Sequence, residues 1–119
     1  MSLRFYGYAK CDTCRKALKY LSERGLEPEI VPIRERPPGV GELRLMLEAV
    51  GGDVRRLFNT SGQDYRALNM SERLPGLSVD EVLNLLAANG NLIRRPFVLV
   101  PSGGVVGFKP AEWSEFFGA

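Results

Sequence analysis

Cys11 and Cys14 stand three residues apart where one hydrophobic pattern gives way to another, and this junction constrains the fold more than any other feature of the chain. Before it, Leu3-Arg4-Phe5-Tyr6-Gly7-Tyr8 reads as a short strand, ended by Gly7 and the polar Lys10–Thr13 stretch. After it, Cys14, Ala17, Leu18 and Leu21 fall at i, i+3, i+4 and i+7, one face of a helix over Asp12–Arg24 that Gly25 stops. Glu29-Ile30-Val31-Pro32-Ile33 follows as a second strand. Pro32 has no N–H to give a ladder, so this strand belongs at a sheet edge. The three pieces form a β-α-β unit with Cys11 at the start of its helix.

The breaker Arg36-Pro37-Pro38-Gly39 then opens a helical block over about 37–90. Leu43, Met46, Leu47 and Val50 form a stripe that ends at Gly51-Gly52, and Val54–Phe58 reads as a shorter helix. Asn59-Thr60-Ser61-Gly62 has turn chemistry, with one or two helical turns over Tyr65–Leu68. Ser78-Val79-Asp80-Glu81 is a capping box that opens a helix carrying Val82, Leu83, Leu85 and Leu86, closed by Asn89-Gly90. After Arg94-Arg95-Pro96 the apolar run Phe97–Val100 reads as a buried central strand. Pro101-Ser102-Gly103-Gly104 is expected to turn the chain, Val105–Phe108 to pair back as a hairpin, and Pro110 to begin a last helix with Trp113, Phe116 and Phe117 on one face. At 119 residues, with no linker or repeat, residues 1–119 are expected to make one α/β domain with the helical block packed on its sheet.

Composition removes several classes of function. Sixteen Lys and Arg against 14 Asp and Glu leave +2, scattered rather than blocked, so no direct nucleic-acid surface is expected. The chain has no histidine, which excludes Ser-His-Asp and Cys-His catalysis and His-rich metal sites. A structural zinc needs four ligands and two thiols are too few, so no metal is assigned. Leu3–Ala9 is interrupted by Arg4 and Gly7, and no run approaches the ~20 apolar residues of a membrane span, so a cytoplasmic location with no membrane partner is expected. In a reducing compartment a paired Cys-x-x-Cys is more often redox-active or metal-binding than a permanent crosslink.

The unfilled N–H groups and macrodipole of a helix N-terminus favour a thiolate over its thiol. Cys11 occupies that position and is expected to be the nucleophile, helped by Lys10 and Arg15 and opposed by Asp12. Cys14, in line with Ala17, Leu18 and Leu21, points to the core, as suits a resolving thiol that attacks a mixed disulfide formed at Cys11. A passive buried pair is the competing reading, and the strand before the motif and the helix starting within it weigh against that. Arg95 reads equally as a solvated charge and as a bidentate oxyanion ligand, whereas Arg94 reads as solvated.

Taken in order, Tyr6-Gly7, Cys11-Asp12-Thr13-Cys14-Arg15-Lys16-Ala17, Leu57–Gly62 with Tyr65-Arg66, Ile93-Arg94-Arg95-Pro96 and Gly107-Phe108 resemble the arsenate reductase (ArsC)/Spx/YffB family over nearly the whole chain. The resemblance implies a thioredoxin-like fold, a mixed four-stranded sheet with the helical block inserted between its second and third strands. It also implies that Pro96 is a cis-proline shaping a substrate groove opposite the cysteines. Cys11 matches the cysteine that attacks arsenate, with glutathione, glutaredoxin or thioredoxin as reductant and no bound cofactor. The family's reductases place three arginines around the oxyanion. Arg95 matches one, while Asn59 and Lys109 stand at the other two and offer no bidentate fork. Those reductases also lack a resolving cysteine three residues on. Asn59–Gly62 looks closer to the YffB-like branch, for which a glutathione-dependent thiol reductase role is implied.

The same resemblance carries a rival. Spx-like proteins use a Cys-x-x-Cys to sense oxidation and bind the C-terminal domain of the RNA polymerase α subunit, and the motif alone does not separate enzyme from regulator. The expected function is a thiol–disulfide oxidoreductase acting on an oxyanion or glutathione-linked substrate, with Cys11 and Cys14 catalytic and Arg95, Lys109 and Asn59 binding the anion. The alternatives are the polymerase-binding regulator and an inert scaffold. A monomer is expected.

Overall fold

The computed structural model describes residues 3–118. Its four strands are β1 (Arg4–Gly7), β2 (Glu29–Pro32), β3 (Phe97–Val100) and β4 (Gly103–Val106), in the order β2-β1-β3-β4. The edge position expected for Pro32 is the one β2 takes. β1 runs parallel to β2, with Tyr6 opposite Val31, and antiparallel to β3, with Tyr6 opposite Phe97; β4 returns antiparallel to β3. Six helices accompany them: α1 (Asp12–Glu23), α2 (Val40–Ala49), α3 (Gln63–Ala67), α4 (Met70–Arg73), α5 (Val79–Ala88) and α6 (Pro110–Phe117). Among the described residues no helix is long and apolar enough to cross a membrane.

Strand side chains alternate between faces, and here both faces are covered. Phe5, Val98 and Val105 pack against Cys14, Ala17, Tyr20 and Leu21 of α1 and Trp113 of α6. Tyr6, Val31, Phe97, Leu99 and Val106 face the helical block, where Leu43, Met46 and Leu47 of α2 and Val82, Leu83 and Leu86 of α5 complete a second core. Tyr6 donates its hydroxyl to Glu42 at 2.7 Å, and Glu42 also accepts the Gly39 N–H at 3.0 Å, which fixes the start of α2 against β1. The Ser78–Glu81 capping box forms in both directions, with bonds of 2.9 and 3.1 Å.

Two details differ from the sequence reading. The last hairpin is tighter than expected: Val100 pairs with Gly103 and Leu99 with Gly104, so only Pro101 and Ser102 form the loop and β4 begins two residues early. The glycines look like turn residues, yet Gly104 is needed inside the strand because α2 passes directly over it. A Cβ there would lie 2.6 Å from Met46 Cε and 2.9 Å from the Val98 carbonyl. Short elements at Met70–Arg73, Leu74–Gly76 and Gly90–Leu92 also extend the helical block beyond what the apolar spacing shows.

Gly104→Ala should therefore destabilise the protein by about 1–3 kcal/mol through overpacking. The cost should shrink in a Met46→Ala background, a coupling measurable by chemical denaturation of the four proteins of the cycle. Additive effects would place the clash elsewhere.

Candidate active site

Cys11 is the N-cap of α1, with extended backbone (φ −90°, ψ 117°). Its Sγ accepts the Cys14 backbone N–H at 3.3 Å, filling the place usually taken by a Ser, Thr or Asp oxygen. The Cys11 N–H donates to the Tyr8 carbonyl at 3.0 Å, so the turn out of β1 presents the sulfur to the helix. Cys11 is half-buried and Cys14, one turn on, is buried, and both are free thiols. Burial pushes the Cys14 thiol up to about 12; hydrogen bonding to Cys11 adds to this, while the Tyr8 backbone and the Arg95 charge oppose it. Cys14 is thus held as a neutral thiol, one turn behind the Cys11 sulfur at the N-terminus of α1. Arg15 does not add its charge to the site as expected, because it is ion-paired with Asp12 in the exposed first turn.

Opposite this turn, the Arg95–Pro96 peptide is cis. Pro96 is buried, and its carbonyl accepts the Gly107 N–H at 2.8 Å. Gly107 has φ 68°, and its own carbonyl accepts the indole N–H of the fully buried Trp113 at 2.9 Å, which ties the proline loop to α6. Arg94 is not simply a solvated charge: it is half-buried, and its Nε lies 2.7 Å from where a Gly107 Cβ would be, so its side chain covers that turn.

The anion-binding candidates share a backbone neighbourhood but differ in what their side chains do. Arg95 is half-buried and close enough to Cys14 for its charge to act on that thiol. Asn59 joins the same loop, since its N–H donates to the Leu92 carbonyl at 2.8 Å beside a Phe58–Ile93 bridge. Its side chain packs over Gly62, with Ser61 Oγ 3.5 Å from its Oδ1. Lys109 is exposed at the N-cap of α6, with Nζ 4.0 Å from Glu112. Of the three, Arg95 is the one whose charge acts on the Cys14 thiol.

Two further residues were missed in the sequence. The Tyr8 ring carries the Arg34 guanidinium 4.0 Å from its centroid, and the Arg95 guanidinium lies 5.5 Å from the same centroid. The signal was the parallel register of β1 and β2: Gly7 pairs with Pro32, and Ile33 donates its N–H to the Gly7 carbonyl at 3.0 Å, which carries Arg34 up beside Tyr8.

A Cys-x-x-Cys at a helix start, facing a cis-proline that leads into the central strand of a four-stranded mixed sheet, defines a thioredoxin-like protein. The finer grouping comes from comparison with known proteins. The ArsC family model matches residues 6–116, and the chain belongs to the ArsC family. It is 48% identical to the protein YusI of Bacillus subtilis (97% of this chain, 98% of that one) and 32% identical to an arsenate reductase of Rhizobium meliloti (87% and 72%). It is 29% identical to the regulatory protein MgsR of Bacillus subtilis (92% and 86%). Its fold superposes on an ArsC-family-related protein from Bacteroides fragilis with a TM-score of 0.90 at 40% identity, over 97% of both chains.

The folded protein keeps the Cys14 proton until about pH 12, whereas the unfolded chain releases it near 9.0, so the reduced protein should lose stability as pH rises through that interval. Cys14→Ala should flatten that slope, read from denaturation midpoints at pH 8 to 11 under reductant. Iodoacetamide at pH 8 should modify Cys11 in the native protein and leave Cys14 unmodified until denaturant is added; equal labelling would contradict the burial of Cys14.

Proposed function

We propose that this protein is a cytoplasmic thiol–disulfide oxidoreductase whose nucleophile is Cys11. The observation that carries this reading is the N-cap itself: Cys11 Sγ accepts the Cys14 N–H at 3.3 Å, with the second thiol buried directly behind it. The Cys11 thiolate attacks one sulfur of a disulfide R–S–S–R′, forming Cys11–S–S–R and releasing R′–S⁻, which takes up a proton. Cys14 then gives up its proton and attacks Cys11 Sγ, releasing R–S⁻ and leaving a Cys11–Cys14 disulfide. Two glutathione molecules, or the dithiol of glutaredoxin or thioredoxin, supply the two electrons that restore both thiols.

Arg95 binds the anionic part of the substrate, with Lys109 and Asn59 at the rim, and Pro96 shapes the groove between this loop and the cysteines. Asn59 and Lys109 lack the planar fork that holds a tetrahedral oxyanion bidentately, which favours disulfides carrying carboxylates over arsenate. On arsenate the same nucleophile would form a Cys11–S–As bond with loss of water, and a second thiol attacking Sγ would expel arsenite.

A second reading, a redox-responsive regulator that binds the C-terminal domain of the RNA polymerase α subunit, draws on the likeness to MgsR and on the two free thiols. A pull-down of that domain with reduced and oxidised protein separates the two. Oxidation-dependent capture favours the regulator.

An activity screen across arsenate, glutathione mixed disulfides and small disulfides tests the enzyme. Cys11→Ser should abolish turnover, and Arg95→Met should lower kcat/KM about tenfold, as loss of a charge-assisted hydrogen bond does. Cys14→Ser should accumulate the Cys11 mixed disulfide, visible by mass. In the intact protein without added thiol, clearance of that mixed disulfide should speed up as pH rises, because Cys14 must first ionise. Undiminished turnover by Cys11→Ser would overturn the reading.

A further inference from the structure

Beside the nucleophile lies a cavity of about 260 Å³ lined by Gly7, Tyr8, Ala9, Lys10, Arg34 and Glu35. Lys10, in its wall, immediately precedes Cys11 in the chain. Arg34 is held in place from two sides: Nε donates to Asn91 Oδ1 at 2.7 Å, and the guanidinium rests 4.0 Å from the Tyr8 ring centroid. Among the described residues Lys10, Arg34 and Glu35 take part in none of the ion pairs within 4.0 Å. Lys10, Arg34 and Glu35 are all exposed, so two cations and one carboxylate line the same small space without forming an ion pair with one another. A purely anionic ligand would meet Glu35 at a cost, and a purely cationic one would meet Lys10 and Arg34. A group carrying a carboxylate and an ammonium on one carbon satisfies all three. The volume is below the ~300–1,000 Å³ of sites that engulf a drug-sized ligand, so the cavity takes one end of a molecule and leaves the rest outside.

We propose that this cavity binds the free α-amino-acid end of a low-molecular-weight thiol or its disulfide, the carboxylate on Arg34 and Lys10 and the ammonium on Glu35, so that the sulfur is delivered to Cys11. The proposal rests on the oxidoreductase reading and deepens it: it assigns a recognition site for the amino-acid end of the substrate and a specificity residue, Arg34, outside the cysteine and proline loops. Tyr8 is the platform that both Arg34 and Arg95 approach, so the amino-acid end and the sulfur are recognised on adjoining surfaces.

The test uses unreactive S-methylglutathione and its N-acetylated form, titrated into the full-length Cys11→Ser protein and followed by amide NMR shifts. S-methylglutathione should shift Tyr8, Lys10 and Arg34. N-acetylation should weaken binding about tenfold, Arg34→Met should weaken it by a similar factor, and Glu35→Gln should erase the difference between the two probes. In protein that retains Cys11, Arg34→Met should lower the ratio of kcat/KM for a glutathione mixed disulfide to that for bis(2-hydroxyethyl) disulfide about tenfold. Binding that ignores both substitutions, or shifts confined to residues outside the cavity, would overturn the proposal. Probe binding as described with no disulfide turnover would keep the amino-acid site and remove the oxidoreductase reading. Turnover with an unchanged substrate ratio in Arg34→Met would do the reverse.

Discussion

The antiparallel pairing of β1 with β3, Tyr6 opposite Phe97, is the constraint on which the arrangement of functional groups depends. β1 leaves the sheet toward Cys11 at the same end where β3 enters it from Arg95 and Pro96. β2, parallel to β1, exits there toward Arg34, and β4, antiparallel to β3, exits there toward Gly107 and Lys109. One sheet order thus delivers four chain segments, distant in sequence, to a single rim. The helices are needed to hold that rim still. Trp113 of α6 binds the Gly107 carbonyl, Gly107 binds the Pro96 carbonyl, and Cys14 of α1 sits in the core beneath its partner thiol.

Much of this was legible in the sequence because single residues carried unambiguous physics. Pro32 marked an edge strand, Ser78 and Glu81 a helix start, and the unbroken Phe97–Val100 run a strand covered on both faces. Glycine is the residue whose role the sequence leaves open. Gly103 and Gly104 carry no side chain to show whether they are turning the chain or making room for Met46, and only the packing of α2 decides it. Met70–Arg73 escaped because a four-residue helix is too short for a hydrophobic period to be seen.

The site was legible in a similar way. The cysteines could be placed because helix-start electrostatics is local. Arg95 stood out beside Pro96, whereas Arg15, Arg34 and Arg94 look alike in a sequence and are used differently by the fold. Arg15 is spent on Asp12, Arg94 covers Gly107, Arg34 stacks on Tyr8, and Arg95 acts on Cys14. What a guanidinium does is set by partners contributed from other elements, and those are fixed only by register and packing.

The N-cap role of Cys11 separates two pressures on this chain. Serine is among the best N-caps, so a replacement of Cys11 by Ser would preserve the start of α1 and the folded state. Selection for stability alone would not keep a sulfur at this position. The persistence of cysteine there in descendants of this sequence would be a direct record of demand for its chemistry, undiluted by any demand for the fold.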